Sequence, residues 1–140
     1  DVESDDCDER WLSMRIEAAC DHLPRGVHRI AVRIVDDAEM IDLHRRFHDD
    51  ATPTDVLTFD AGATDGPIDA DIAVCLDEAR RNASDRGHDV GRELLLYVVH
   101  GLLHCCGHDD HDADEHRRMH VEEDRILTAI GVGPVYGGDA

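Results

Sequence analysis

The sequence contains no lysine: all 14 of its basic residues are arginine, against 33 aspartates and glutamates. The formal charge of −19 at pH 7 repels polyanions at long range, which argues against a non-specific nucleic-acid binder and against a DNA partner. Salt screens charges beyond about 10 Å, so a local arginine patch can still contact phosphate. Any such contact is therefore expected to depend on local shape and not on long-range attraction.

Long apolar runs are also missing. None approaches the roughly 20 residues that a membrane-spanning helix needs, and the acidic residues 1–10 are unlike a signal peptide. We therefore expect a cytoplasmic protein with no membrane partner. The five cysteines form no Cys-x-x-Cys pair, and their odd number argues against a disulfide framework.

A chain of 140 residues suits one domain with its own core, here with a loose glycine-rich tail at 131–140. Apolar spacing and breaker residues predict the elements. Helices are expected at 8–22, 36–47, 77–86, from 90 through 104, and from Asp112 or Asp114 to 130; strands are expected at 30–35, 56–59 and 72–76. Residues 94–99 are apolar nearly all round, which predicts that the fourth helix is buried.

A pair of histidines lies near the end of that buried helix. His100 and His104 are four residues apart, so their imidazoles share one helix face and can bind one ion. Gly107 allows the chain to turn back, and the residues after it offer further ligands. Two helical ligands plus one from a returning loop leave an open position, as in catalytic zinc sites.

The glutamate of the zinc-protease motif His-Glu-x-x-His is absent. Gly101 occupies that position, and because glycine cannot accept a proton the general base of a peptidase is missing. Cys105 and Cys106 are soft ligands, but neighbouring side chains on a helix diverge by about 100°. At most one of them can join the histidine face, and core packing is the favoured alternative.

Three sequence blocks resemble one known family. The run His-Gly-Leu-Leu-His-Cys-Cys-Gly-His-Asp-Asp at residues 100–110 is similar to the YbeY signature His-Gly-x-Leu-His-x-x-Gly-Tyr-Asp-His. The run Pro-Thr-Asp-Val-Leu-Thr-Phe at 53–59 resembles the family's Pro-Thr-Asp-Val-Leu-Ser-Phe, and Ala-Asp-Ile-Ala-Val at 70–74 resembles its Gly-Asp-Ile-x-Ile. The blocks occur in family order, and the resemblance spans roughly residues 30–130.

The resemblance implies a single α+β domain, with a small, mostly parallel mixed sheet and helices packed around it. It also implies a zinc-dependent endoribonuclease of single-stranded RNA with one Zn²⁺ per chain. In the family, this activity matures the 3′ end of small-subunit ribosomal RNA and helps to remove defective ribosomes. Ribosomal RNA and the small ribosomal subunit are then the expected partners.

The sequence leaves the identity of the third metal ligand undecided. Asp110 occupies the register of the family's third histidine, ten residues after His100, and a carboxylate is a legitimate zinc ligand. His111 follows it by one residue, within the range of a flexible loop. Register favours Asp110, with His111 as the alternative.

The residue expected to bind phosphate is a second position at which the sequence departs from the family pattern. The family usually carries an arginine after an aromatic residue that Phe47 matches, and here that position is His48. Histidine is cationic only below about pH 6.5 and lacks the bidentate fork of arginine. Arg45 and Arg46 are candidates to replace it, the alternative being that they cover an exposed helix face. No general base outside the ligand set is identifiable.

The resemblance leads to metal-assisted cleavage of an RNA phosphodiester, in which the bound ion polarises a phosphoryl oxygen or acidifies a water molecule. Two alternatives remain open. One is a metal-binding ribosome-assembly factor that does not cut RNA; the other is a metallohydrolase of peptides or small molecules.

Overall fold

The computed structural model describes residues 8–48, 55–61, 66–107 and 112–133. In that part of the chain, the helices are α1 (Glu9–Cys20), α2 (Asp37–His48), α3 (Leu76–Arg86), α4 (Val90–Cys105) and α5 (Ala113–Ala129), and the strands are β1 (Val27–Val35), β2 (Val56–Asp60) and β3 (Ile68–Cys75). No helix in these ranges is both long enough and apolar enough to cross a membrane.

The described strands form one mixed sheet in the order β1-β3-β2. The central strand β3 pairs parallel with β1 along Ile30↔Ala70 to Val35↔Cys75, and antiparallel with β2 from Val56↔Val74 to Asp60↔Ala70. The parallel pair is joined through α2 and β2. The expected mixed sheet with surrounding helices is therefore confirmed, with one of its two pairings parallel.

The two faces of β3 bury different partners, because successive strand side chains point to opposite sides. Ile72 and Val74 belong to the larger core, which holds the apolar residues of α4 and α5. Ala73 and Cys75 face the other way and pack with Met40 of α2. Helices α4 and α2 thus cover opposite faces of the sheet.

Aspartate side chains begin the helices that position the site. The carboxylate of Asp89 accepts from the backbone N–H of Arg92 at the start of α4, and that of Asp112 accepts from Glu115 at the start of α5. Each bond satisfies a backbone donor that a helix leaves unpaired in its first turn. Of the two residues that the sequence offered as the cap of the last helix, Asp112 is the one that caps it.

Several strand boundaries differ from the sequence prediction. Strand β1 begins at Val27 and β3 at Ile68, earlier than the expected starts at residues 30 and 72. In β3 the early part alternates buried Ile68 and Ala70 with more exposed aspartates, a half-buried pattern that the search for apolar runs missed. Leu76, predicted as the last residue of the strand, is the first residue of α3.

Candidate metal centre

His100 and His104 lie on one face in the last turns of α4, as their spacing predicts. Their Nε2 atoms are 3.1 Å apart, and the rings meet edge to face with centroids 4.7 Å apart. Two nitrogens bound to a tetrahedral zinc ion at about 2.0–2.1 Å are separated by about 3.3 Å. The pair thus holds its two nitrogens close to the separation that one ion requires.

Glu123 of α5 fixes the orientation of His100. Its side chain is 1% exposed, and Oε2 lies 2.6 Å from Nδ1 of His100. A carboxylate oxygen accepts, so Nδ1 of His100 carries the proton and Nε2 is left with a lone pair directed at His104. This carboxylate–histidine arrangement orients metal-binding imidazoles in many proteins and increases their basicity.

The second oxygen of Glu123 serves a second histidine pair. Oε1 lies 2.6 Å from Nδ1 of His120, and Nε2 of His120 lies 2.9 Å from Nε2 of His116. One buried carboxylate therefore connects the His100–His104 pair on α4 to the His116–His120 pair on α5.

A cleft of about 450 Å³ opens beside His104. Its principal cation is Arg25, whose guanidinium donates to the carbonyl oxygens of Gly66 and Cys105 and to Oδ2 of Asp60 at 2.6–2.8 Å. Because Arg25 is only 14% exposed, these bonds hold the guanidinium at the cleft wall. The sequence analysis did not single out Arg25.

Gly101 has a steric reason to be glycine. A Cβ atom built there would lie 2.5 Å from the hydroxyl oxygen of Thr58 on β2, closer than real Cβ contacts. The side chain of a glutamate would begin with the same Cβ. The packing of α4 on β2 therefore disfavours the base of the zinc-protease motif at this position.

Burial raises the pKa values of several groups around the pair. Burial raises the pKa of Asp55, and the nearby His100 partly opposes that shift. The thiol of Cys105 lines the cleft, and burial raises its pKa to about 11. Cys106 is shifted upward for the same reason. Both thiols are therefore protonated at neutral pH in the metal-free protein, and a metal ion would have to displace that proton to bind either of them.

The remaining predicted site residues are not brought to this cleft by the described structure. Asp110 and His111 lie outside the described residues, as does the side chain of His48. Arg45 and Arg46 are exposed on α2, which packs on the opposite face of the sheet from α4, and Arg46 pairs with Asp42 at 3.5 Å. Their role as phosphate contacts stays a prediction.

Within the described ranges, no group of three or more histidine, cysteine, aspartate or glutamate side chains is arranged to hold a metal ion. His100 and His104 are two candidate ligands there, and both candidates for the third lie in the stretch 108–111 that those ranges omit. The sequence analysis also missed Glu123, whose role depends on the packing of α5 against α4. The spacing of His116 and His120, equal to that of His100 and His104, was a readable signal.

The structure shows a mixed α+β domain with paired histidines beside a cleft. Comparisons with known proteins identify the family to which this domain belongs. The family model described as Endoribonuclease YbeY matches residues 3–131. The chain belongs to the YbeY endoribonuclease family.

Individual relatives agree with that assignment. The chain is 35% identical to the Endoribonuclease YbeY of Carboxydothermus hydrogenoformans over 74% of its own length and 73% of the relative's. The Halalkalibacterium halodurans protein of the same name is 31% identical over 82% of this chain and 80% of its own. The solution structure of TM1509 from Thermotoga maritima has a TM-score of 0.58 at 25% identity, covering 93% of this chain and 88% of that one.

Proposed function

We propose that this protein is a zinc-dependent endoribonuclease that cleaves single-stranded RNA. Its role would be to mature the 3′ end of small-subunit ribosomal RNA and to act in ribosome quality control. Family membership supports the nuclease class. The observation that supports the metal is Glu123, which accepts from Nδ1 of His100 and leaves Nε2 of His100 with a lone pair 3.1 Å from Nε2 of His104.

The residues fit a divalent transition metal. Imidazole suits zinc, and the buried carboxylate behind His100 fixes the tautomer that a ligand must have. His100 and His104 would hold the ion with Asp110, or alternatively His111, as the third ligand. Zinc bound there supplies Lewis acidity and lowers the pKa of a coordinated water toward neutrality.

The chain's own residues determine where RNA is held. Arg25 presents a guanidinium on the cleft wall near His104, where a phosphate entering the cleft would be close to both. Asp60 holds that guanidinium in place and offsets part of its charge. With a net charge of −19, the protein would bind RNA through such local contacts and through shape.

The test combines metal analysis with an RNA cleavage assay. Purified wild type and the double variant His100→Ala/His104→Ala are loaded with zinc, dialysed, and incubated with single-stranded RNA, duplex RNA and single-stranded DNA. We expect the double variant to lose one zinc equivalent and all cleavage, and the wild type to prefer single-stranded RNA. The control is His22→Ala/His28→Ala, which also removes two histidines but leaves α4 intact. A double variant that binds as much zinc as the wild type would refute the ligand assignment.

Separate Asp110→Ala and His111→Ala variants identify the third ligand. We expect Asp110→Ala to lower zinc affinity and His111→Ala to retain it, because Asp110 has the register of the third ligand. The opposite result assigns His111. Retained zinc and normal association with small ribosomal subunits, but no cleavage of RNA, would instead support an assembly factor that does not cut.

A further inference from the structure

We propose that His116 and His120 form a second divalent-metal site, on α5 and distinct from the candidate catalytic pair. The two histidines are four residues apart on one helix face, and their Nε2 atoms are 2.9 Å apart. Their rings meet edge to face with centroids 4.2 Å apart. Two nitrogens bound at about 2.0–2.1 Å to a tetrahedral zinc ion are separated by about 3.3 Å, so the two rings need to move apart by only about 0.4 Å to hold one ion.

A contact with Glu123 fixes the orientation of His120, so this orientation does not depend on a bound metal. Oε1 of Glu123 lies 2.6 Å from Nδ1 of His120, and Glu123 is buried. Because the carboxylate oxygen accepts, Nδ1 of His120 carries its proton and Nε2 presents a lone pair toward His116. Metal-binding histidines are commonly held by such a carboxylate, which here is the one that orients His100.

A hydrogen bond between the two rings accounts for the short distance without a metal. The lone pair on Nε2 of His120 then accepts the proton on Nε2 of His116. A metal ion replaces that proton, so binding releases it and becomes weaker as the pH falls. His116 is exposed, so solvent can reach an ion bound there.

The ligand chemistry indicates which ions the pair takes. Two neutral imidazoles suit Zn²⁺, Ni²⁺ or Cu²⁺, whereas Mg²⁺ and Ca²⁺ prefer oxygen ligands. With two ligands in the part of the chain that the structure describes, the α5 pair would bind less tightly than a site with three. We therefore expect the ion on α5 to exchange first.

The experiment is a titration of metal-free, full-length protein with ZnCl₂, followed by calorimetry and elemental analysis. The variants are His116→Gln/His120→Gln, His100→Ala/His104→Ala, and the combination of all four changes. We expect two ions per wild-type chain, one for each double variant and none for the fourfold variant. The ion that remains in His100→Ala/His104→Ala should be the weaker one.

A second measurement does not require the variants to fold. In wild-type protein labelled with ¹⁵N-histidine, saturating ZnCl₂ should shift the Nε2 resonances of His116 and His120. Unchanged resonances, or equal zinc stoichiometry in wild type and His116→Gln/His120→Gln, would show that the pair forms only a hydrogen bond. Because RNA is absent from both measurements, the second site can fail without affecting the proposed nuclease activity, and the reverse also holds.

Discussion

The two histidine pairs have almost the same geometry in very different surroundings. Their Nε2 separations are 3.1 Å on α4 and 2.9 Å on α5, and both pairs meet edge to face. Helix α4 is largely buried, and its pair adjoins the cleft that contains Arg25. Helix α5 is acidic and amphipathic, and His116 is exposed. Ligand geometry alone thus does not make an active site, which also needs a place for substrate beside the metal.

Glu123→Gln is expected to weaken metal binding at one histidine pair and not at the other. This is the largest effect that we predict. An amide has one acceptor oxygen, so only one of His100 and His120 can still donate to it from Nδ1. The other ring must change its tautomer, which places a proton on its Nε2. Loss of such a carboxylate partner weakens metal binding by about 10–100-fold, and we expect this at one pair only.

Zinc titration by calorimetry measures that change. Glu122→Gln is the matched control, because Glu122 lies one residue away and pairs with Arg125 instead. Equal weakening at both pairs would contradict the division of the carboxylate between them, and unchanged affinities would remove Glu123 from both sites.

Arg25→Met tests the cleft beside the α4 pair, whose wall holds the Arg25 guanidinium. The change removes charge-assisted hydrogen bonds to Gly66, Asp60 and Cys105 and leaves Asp60 without this partner. We expect a loss of about 1–3 kcal/mol in the free energy of unfolding and a higher KM for RNA.

Urea unfolding and cleavage kinetics measure the two consequences of Arg25→Met. Arg29→Met is the control, since Arg29 bridges Asp69 and Asp71 at an exposed position and should cost much less. Zinc binding at both pairs should be unchanged. An unaltered KM would place the RNA elsewhere than in this cleft.

Gly101→Ala tests the close approach of α4 to β2. In the wild-type background, the 2.5 Å contact with the hydroxyl of Thr58 should lower the free energy of unfolding by about 1 kcal/mol, at the low end of overpacking costs. In a Thr58→Ala background the same change should stabilise by up to about 1 kcal/mol, because alanine is the better helix former. Thermal or urea unfolding of the four proteins gives the sign, and Thr58→Val should keep the clash.

Replacing the thiols beside the α4 pair should have the smallest effect. Burial raises the pKa of Cys105 to about 11, so the thiol is protonated at pH 7. Cys105→Ser/Cys106→Ser should therefore keep the zinc stoichiometry of the wild type. As the pH rises toward 11, the thiolate fraction and hence the alkylation rate of Cys105 should increase about tenfold per unit. Loss of a zinc equivalent in the double serine variant would make a thiolate part of the site.

Sequence reading succeeded where one segment carries its own signal. The apolar run of α4 and the four-residue spacing of His100 and His104 are local, and so is the glycine that follows α3, Gly87, which adopts φ 76°. Glu123 and Arg25 could not be found this way. Glu123 contacts His100 and Arg25 contacts Cys105 over more than 20 positions of sequence, and these contacts exist only once α4 packs against its neighbours.

The strands show the same difference between features with a local sequence signal and features that depend on distant residues. The end of β3 was predicted because it is buried on both faces and forms a continuous apolar run, and the end of β1 because it is rich in β-branched residues. The beginning of β3 alternates with aspartates that meet Arg29 of the neighbouring strand, so its strand character is determined partly by its partner. That information is absent from any short window of the sequence.

The contact between Gly101 and Thr58 also limits what this protein can evolve into. Two histidines at the spacing of a zinc peptidase enclose the position that would hold its catalytic glutamate. A glutamate at 101 would fit more easily if Thr58 were smaller or β2 lay further from α4. The path of lowest cost to peptide hydrolysis therefore combines two substitutions, and the change at Thr58 brings no catalytic gain alone. Close packing of one helix on one strand can in this way limit which reactions a shared pair of histidines supports.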